Sequence, residues 1–187
     1  MSLKKAAFLD RDGVINIDHA YVHTPEEFTF IDGVFEACRL LQQAGFLLII
    51  STNQSGIGRG YYTEDDFQKL CQWMKERFEE NGVRVDDIFF CPHHPEKALP
   101  AYRMECDCRK PKPGMLLSAQ KKWRIDMKSS LMVGDKPGDM QAALAAGVGT
   151  RIFVGKDGLC CPEPIAECTH TARNLLEAAE IMVGKFK

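Results

Sequence analysis

Short runs of uninterrupted apolar residues alternate with amphipathic helical patterns along the whole chain, and this alternation narrows the fold more than any other feature. Ala6-Ala7-Phe8-Leu9 stops at Asp10, Phe46-Leu47-Leu48-Ile49-Ile50 stops at Ser51-Thr52, and Ser130-Leu131-Met132-Val133 stops at Gly134-Asp135. Residues 83–90 and Arg151-Ile152-Phe153-Val154 supply two more strand candidates. Helical periodicity fills the intervals: 34–44 closing on Gly45, a longer helix opened by Thr63 with Asp66 as its capping partner, then 115–123, 139–146 closing on Gly147, and 171–183. Strands apolar on both faces need cover on both faces, and interleaved helices provide it. The expected fold is α/β, a doubly wound parallel sheet of Rossmann-like type.

At 187 residues the expectation is a single domain over 1–187, since domains typically hold roughly 100–200 residues. A content of 45% hydrophobic and 27% charged residues is that of a soluble globular protein. Twenty-four Lys+Arg against 26 Asp+Glu leave a net charge of -2, which argues against a nucleic-acid groove. No apolar run approaches the ~20 residues a bilayer span needs, so no membrane partner is expected. The first residues lack a signal-peptide pattern, which points to the cytoplasm and a reducing environment. No apolar interface helix stands out, and a monomer is expected.

Ligands of an open parallel sheet bind beyond the carboxyl ends of its strands. Those ends read Asp10-Arg11-Asp12-Gly13, Thr52-Asn53-Gln54-Ser55 and Gly134-Asp135-Lys136-Pro137-Gly138-Asp139, with Arg109-Lys110 approaching from the loop before the fourth strand. Topology thus gathers carboxylates, a hydroxyl and a lysine on one edge. Taken singly, an Asp after a strand serves equally well as a helix cap or turn residue. Together the group suits Mg²⁺ held by carboxylates and phosphate oxygens, and a carboxylate can act as a covalent nucleophile toward phosphorus.

Eight cysteines are the oddest feature of the composition. Cys91-Pro92-His93-His94 and Cys106-Asp107-Cys108 frame an irregular loop, 91–109, too long to be structureless inside a compact domain without a fastening. Three thiolates and an imidazole make a tetrahedral Cys₃His zinc site of the structural type. A Cys106–Cys108 disulfide or free thiols are the competing readings. Cys38 and Cys71 read as core residues, and Cys160, Cys161 and Cys168 have no assigned role.

The order Asp10-x-Asp12-Gly13-Val14, Thr52, Lys110, Gly134-Asp135-x-x-x-Asp139 resembles the haloacid dehalogenase superfamily of phosphohydrolases over nearly the whole chain. Leu9 to Gly13, Thr52 to Gly56 and Cys108 to Pro111 look like its branch of histidinol-phosphate and heptose bisphosphate phosphatases. Asp18 to His23, Phe30 to Gly33 and Met132 to Lys136 favour the heptose side.

The resemblance implies a small-molecule sugar bisphosphate substrate and a Mg²⁺-dependent phosphomonoesterase with a minimal cap. Asp10 would be the nucleophile, Asp12 the general acid/base, and Thr52 and Lys110 the phosphoryl contacts. Mg²⁺ would be bound by Asp10, Asp135 and the main-chain carbonyl of Asp12. Asp139 would orient the loop, and the zinc loop would use Cys91, His93, Cys106 and Cys108. Substrate contacts are expected from Arg109, Asp18, His19, Ala20, Tyr21, Asn53, Gln54, Ser55 and Lys136. Ala20 stands where the pattern has glycine. Arg59 reads as a surface charge. The competing functions are a histidinol-phosphate phosphatase and a non-catalytic phosphate-sensing zinc module.

Overall fold

The computed structural model describes residues 2–184, in which the apolar runs lie side by side in one parallel sheet. Its strands are β1 (Lys5–Leu9), β2 (Phe46–Asn53), β3 (Asp87–Cys91), β4 (Leu131–Gly134), β5 (Thr150–Val154) and β6 (His170–Ala172), in the order β3-β2-β1-β4-β5-β6. Every pairing is parallel. The helices are α1 (Val34–Gln43), α2 (Ser55–Gly58), α3 (Glu64–Glu80), α4 (Gly114–Trp123), α5 (Pro137–Ala145) and α6 (Leu175–Gly184).

Alternation along β1 explains the two layers. Ala7 and Leu9 join a core with Val34 and Leu41 of α1, Leu70 and Phe78 of α3, and Ala178 of α6. Ala6 and Phe8 face the other way, onto Leu116 of α4 and Met140 and Ala143 of α5. A strand buried on both faces has no polar face to show, which is why these segments read as continuous apolar runs. The Thr63–Asp66 capping box opens α3 as its sequence predicts: Asp66 N–H donates to Thr63 Oγ1 at 3.1 Å, and Thr63 N–H to Asp66 Oδ2 at 2.9 Å.

Two boundaries depart from expectation by four residues. The third strand starts at Asp87 rather than 83, because Asp86 substitutes for the ladder: its Oδ2 accepts from Leu48 N–H at 2.9 Å, and its own N–H donates to Leu48 O at 2.9 Å. The last helix starts at Leu175 rather than 171, because Thr171 and Ala172 pair with Phe153 and Val154 as the sixth strand.

Between β1 and α1 the chain forms a short excursion with a single turn of 3-10 helix, Pro25–Glu27, and no second layer over the sheet edge. The segment from β3 to α4 carries no helix or strand, as its composition leads one to expect.

Candidate active site

Strand order reverses direction at β1 and β4, so the loops leaving their carboxyl ends diverge and open a crevice. Asp10 stands at the mouth of β1, with its N–H donating to Val133 O of β4 at 3.0 Å. Lys110 enters from the long loop: its Nζ lies 2.9 Å from Asp10 Oδ1 and 2.7 Å from Asp139 Oδ1, and donates to Ser51 O at 2.7 Å. Burial works against a charge on Asp10, yet Lys110 and Lys136 outweigh it and hold this carboxyl below its ordinary range. The same carboxylates keep the buried Lys110 firmly charged.

Asp135 has the opposite environment. Both of its carboxylate oxygens are buried without a donor. Burial, then the charges of Asp10 and Asp139, push it up to about 8. Ligand atoms of Asp10, Asp135 and Asp139 lie within 4.8 Å of one another. Asp139 is already engaged, by Lys110 on one oxygen and by Lys136 N–H at 3.1 Å on the other. Gly13, at φ +88°, leaves room for the acid cluster: a Cβ there would sit 2.1 Å from Asp135 Oδ2. Hard oxygens without donors, crowded about a space kept clear by glycine, fit a divalent cation such as Mg²⁺.

Asp12 is held apart from that cluster. Its Oδ1 accepts from Arg11 Nη2 at 2.8 Å and Asn16 Nδ2 at 3.0 Å. Its Oδ2 accepts from Gln54 Nε2 at 3.2 Å, and the same amide nitrogen donates to Thr52 Oγ1 at 2.9 Å. Tyr62 O–H donates to Gln54 Oε1 at 2.5 Å and so fixes which end of the amide faces Asp12. Asn16 and Tyr62 therefore support the site, although nothing in their sequence spacing announces it.

A cavity of about 380 Å³ opens over these groups, lined by Asp12, Asp18, Ala20, Tyr21, Asn53, Gln54, Ser55, Arg109 and Lys136, and also by Gly56, Arg59 and Tyr62. Nearly all of the expected substrate contacts thus meet in one place. His19 is the exception: it lies exposed on the turn that Asp18 closes by accepting from Ala20 N–H at 3.1 Å, and is not part of the lining. Asn53 also braces the loop, accepting from Lys110 N–H at 3.0 Å and donating to Lys110 O at 3.1 Å. Asp18 has Lys136 and Lys156 at 3.8 Å each. Ala20 and Tyr21 adopt left-handed backbone, at φ +61° and +57°, which explains the glycine pattern at position 20. Arg59 is not a plain surface charge: it is half-buried and lines the cavity.

The cysteines resolve the loop. Cys91, His93, Cys106 and Cys108 converge, with Sγ separations of 3.6 Å for Cys91–Cys106 and 3.5 Å for Cys106–Cys108. His93 Nδ1 lies 3.7 and 3.5 Å from the sulfurs of Cys91 and Cys108. A tetrahedron with bonds of about 2.3 Å to sulfur and 2.0–2.1 Å to nitrogen needs edges of roughly 3.5–3.8 Å. Cys91 and Cys108 are closer, at 2.9 Å, still far from a covalent bond, and all eight cysteines are free. The donor set and spacing fit zinc. His94 turns away, its Nδ1 accepting from the N–H groups of Glu96 and Lys97 at 3.1 and 2.9 Å. Cys38 and Cys71 are buried in apolar clusters, while Cys160 and Cys161 are exposed and outside both ligand clusters.

A sequence profile of the family described as "HAD-hyrolase-like" matches residues 107–178. The chain is 60% identical over 151 residues to the D-glycero-beta-D-manno-heptose-1,7-bisphosphate 7-phosphatase of Vibrio cholerae, covering 81% of each chain. It is 55% identical over 182 residues to the enzyme of the same name from Yersinia pestis, covering 97% of each. Among solved structures it is similar to the D,D-heptose 1,7-bisphosphate phosphatase from B. bronchiseptica complexed with magnesium and phosphate, with a TM-score of 0.82 and 31% identity over 97% of this chain and 99% of that one.

Proposed function

The chain belongs to the haloacid dehalogenase-like hydrolases, among the heptose bisphosphate phosphatases, and from that premise we propose that it removes the 7-phosphate of D-glycero-β-D-manno-heptose 1,7-bisphosphate. The β designation is that of the relatives. The product keeps its anomeric phosphate, the group a nucleotidyltransferase needs to make an activated heptose for lipopolysaccharide or other surface glycans.

Asp10 is the nucleophile. Its charge is preserved by Lys110 and Lys136, and its oxygen attacks phosphorus while the bond to O7 of the sugar breaks, leaving an aspartyl phosphate. Asp12 gives the departing O7 its proton, then takes one from the water that hydrolyses the intermediate. Asp12 lines the cavity, and its Oδ2 accepts only the 3.2 Å bond from Gln54, which leaves lone pairs on this oxygen to take a proton. Thr52 and Lys110 hold the phosphoryl oxygens. Mg²⁺ bound by the carboxylates of Asp10 and Asp135 and the main-chain carbonyl of Asp12 would neutralise charge on the phosphoryl group and relieve the repulsion among the acids. The zinc loop carries Arg109 and Lys110, and Arg109 Nη1 donates to His93 O at 3.4 Å, so loop order and cation position are linked.

The observation that carries this reading is the pairing of a charged, lysine-braced Asp10 with the donor-free oxygens of Asp135. A module that only sensed phosphate would have no use for Asp12, and its extra carboxylates would repel the ligand. Histidinol phosphate would bring an ammonium toward Arg109 and Arg59, an unfavourable approach. No helix among the described residues is long and apolar enough to cross a membrane. Phosphate release with Mg²⁺ from both anomers of the bisphosphate and from histidinol phosphate tests the substrate assignment. The β anomer is expected to give the highest kcat/KM; a clear preference for histidinol phosphate would overturn it.

A further inference from the structure

Arg59 follows α2 and lines the same cavity as Arg109. Its guanidinium lies 5.7 Å from the centroid of the Tyr21 ring, and Tyr21 meets Tyr61 edge-on at 4.8 Å between centroids. Its Nε is buried and has no hydrogen-bond partner. Other cations of the site are already matched: Arg11 by Asp12 at 2.8 Å, and Lys110 by Asp10 and Asp139 at 2.9 and 2.7 Å. Among the described residues no carboxylate lies within ion-pair distance of Arg59 or Arg109.

Two guanidinium groups without a carboxylate partner on one polar cavity are an anion site in waiting, and the buried, unpaired Nε of Arg59 costs free energy that a ligand can recover. The fold holds them together. Gly58 packs so close to the long loop that a Cβ on it would lie 2.3 Å from Pro92 O, and Leu99 N–H donates to Gly58 O at 2.6 Å. Arg59 is thereby fixed to the segment that presents Arg109. The aromatic face of Tyr21 orients the guanidinium plane without neutralising it.

We infer that Arg59 is a specificity-determining residue that, together with Arg109, grips the phosphate that is not transferred. The inference rests on the bisphosphate reading above and deepens it. Tyr21 sets the guanidinium over the cavity, and the left-handed backbone at Ala20 and Tyr21 puts that ring in place. The distal phosphate then contributes binding energy remote from the reacting bond, which shows mainly in KM.

The test compares heptose 1,7-bisphosphate with heptose 7-phosphate, which lacks the anomeric phosphate, in the wild type, Arg59→Gln and Arg59→Lys. Wild type should favour the bisphosphate. Arg59→Gln should lower kcat/KM for the bisphosphate about 10- to 100-fold, chiefly through KM, and shrink the ratio between the two substrates at least about tenfold. Arg59→Lys keeps the charge but loses the fork, and should shrink the ratio about three- to tenfold. If Arg59→Gln does not fold, the lysine variant decides alone. A wild type that discriminates, with variants that keep its full ratio, removes Arg59 from the site and leaves the bisphosphate reading standing. A wild type that does not discriminate refutes both.

Discussion

At the scale of single residues, the site depends on side chains placed against their own preferences. Ala20 is the simplest case, since left-handed backbone costs a non-glycine residue roughly 1–2 kcal/mol. Replacing it with glycine removes that strain and adds back unfolded-chain entropy worth ~0.4–1 kcal/mol. Ala20→Gly is expected to raise stability by about 0.5–1 kcal/mol, seen as a melting midpoint about 1–4 °C higher. A lower midpoint would mean that the alanine methyl makes contacts worth more than the strain. Asp135 is a stronger case: its carboxylate oxygens are buried without donors beside Asp10 and Asp139, a grouping with no structural benefit of its own. Its purpose is legible only once a cation is considered.

At the scale of elements, the long loop between β3 and α4 links the Cys/His cluster that fits zinc to the cations proposed to hold the substrate. Cys91 ends β3, its carbonyl accepts from Gln54 N–H at 2.8 Å, and Cys108 leads directly into Arg109 and Lys110. Removing zinc with a zinc-selective chelator in excess Mg²⁺ should release one zinc per chain and cut phosphatase activity at least about tenfold, with recovery on adding zinc back. Full activity in zinc-free protein would show that the loop is held by other means. The strands that build the site were readable because β1, β2 and β4 are buried on both faces and so spell continuous apolar runs. The three residues of β6 are too few to show a period, and the helix pattern beside them absorbs them. Arg59 and Tyr62 were not readable as site residues. Their place depends on α2 packing against Pro92 and Leu99, contacts distant in sequence that no local pattern encodes. His19 lies outside the cavity lining for the converse reason: neighbours on both sides reach the cavity, and a turn carries it outward.

At the scale of the whole molecule, a net charge of -2 conceals a sharp local separation. Three carboxylates crowd the ends of β1 and β4, while Lys110, Arg109, Arg59 and Lys136 border the same crevice. A dianionic phosphoryl group would meet cations there, and a divalent metal would meet acids. Among the described residues no domain covers the sheet edge, so the cavity of about 380 Å³ is shaped by the short excursion after β1, by residues 53–62, and by Arg109 and Lys136. Such a site suits a small polar sugar phosphate and leaves discrimination to a few charged contacts. The central claim is that Asp10 forms the covalent link to phosphorus. The most direct measurement is phosphate release from the heptose bisphosphate by Asp10→Asn, alongside its zinc content and melting midpoint. Loss of turnover by at least about a thousandfold, with zinc and midpoint preserved, is the expected result. Turnover within tenfold of wild type would contradict it.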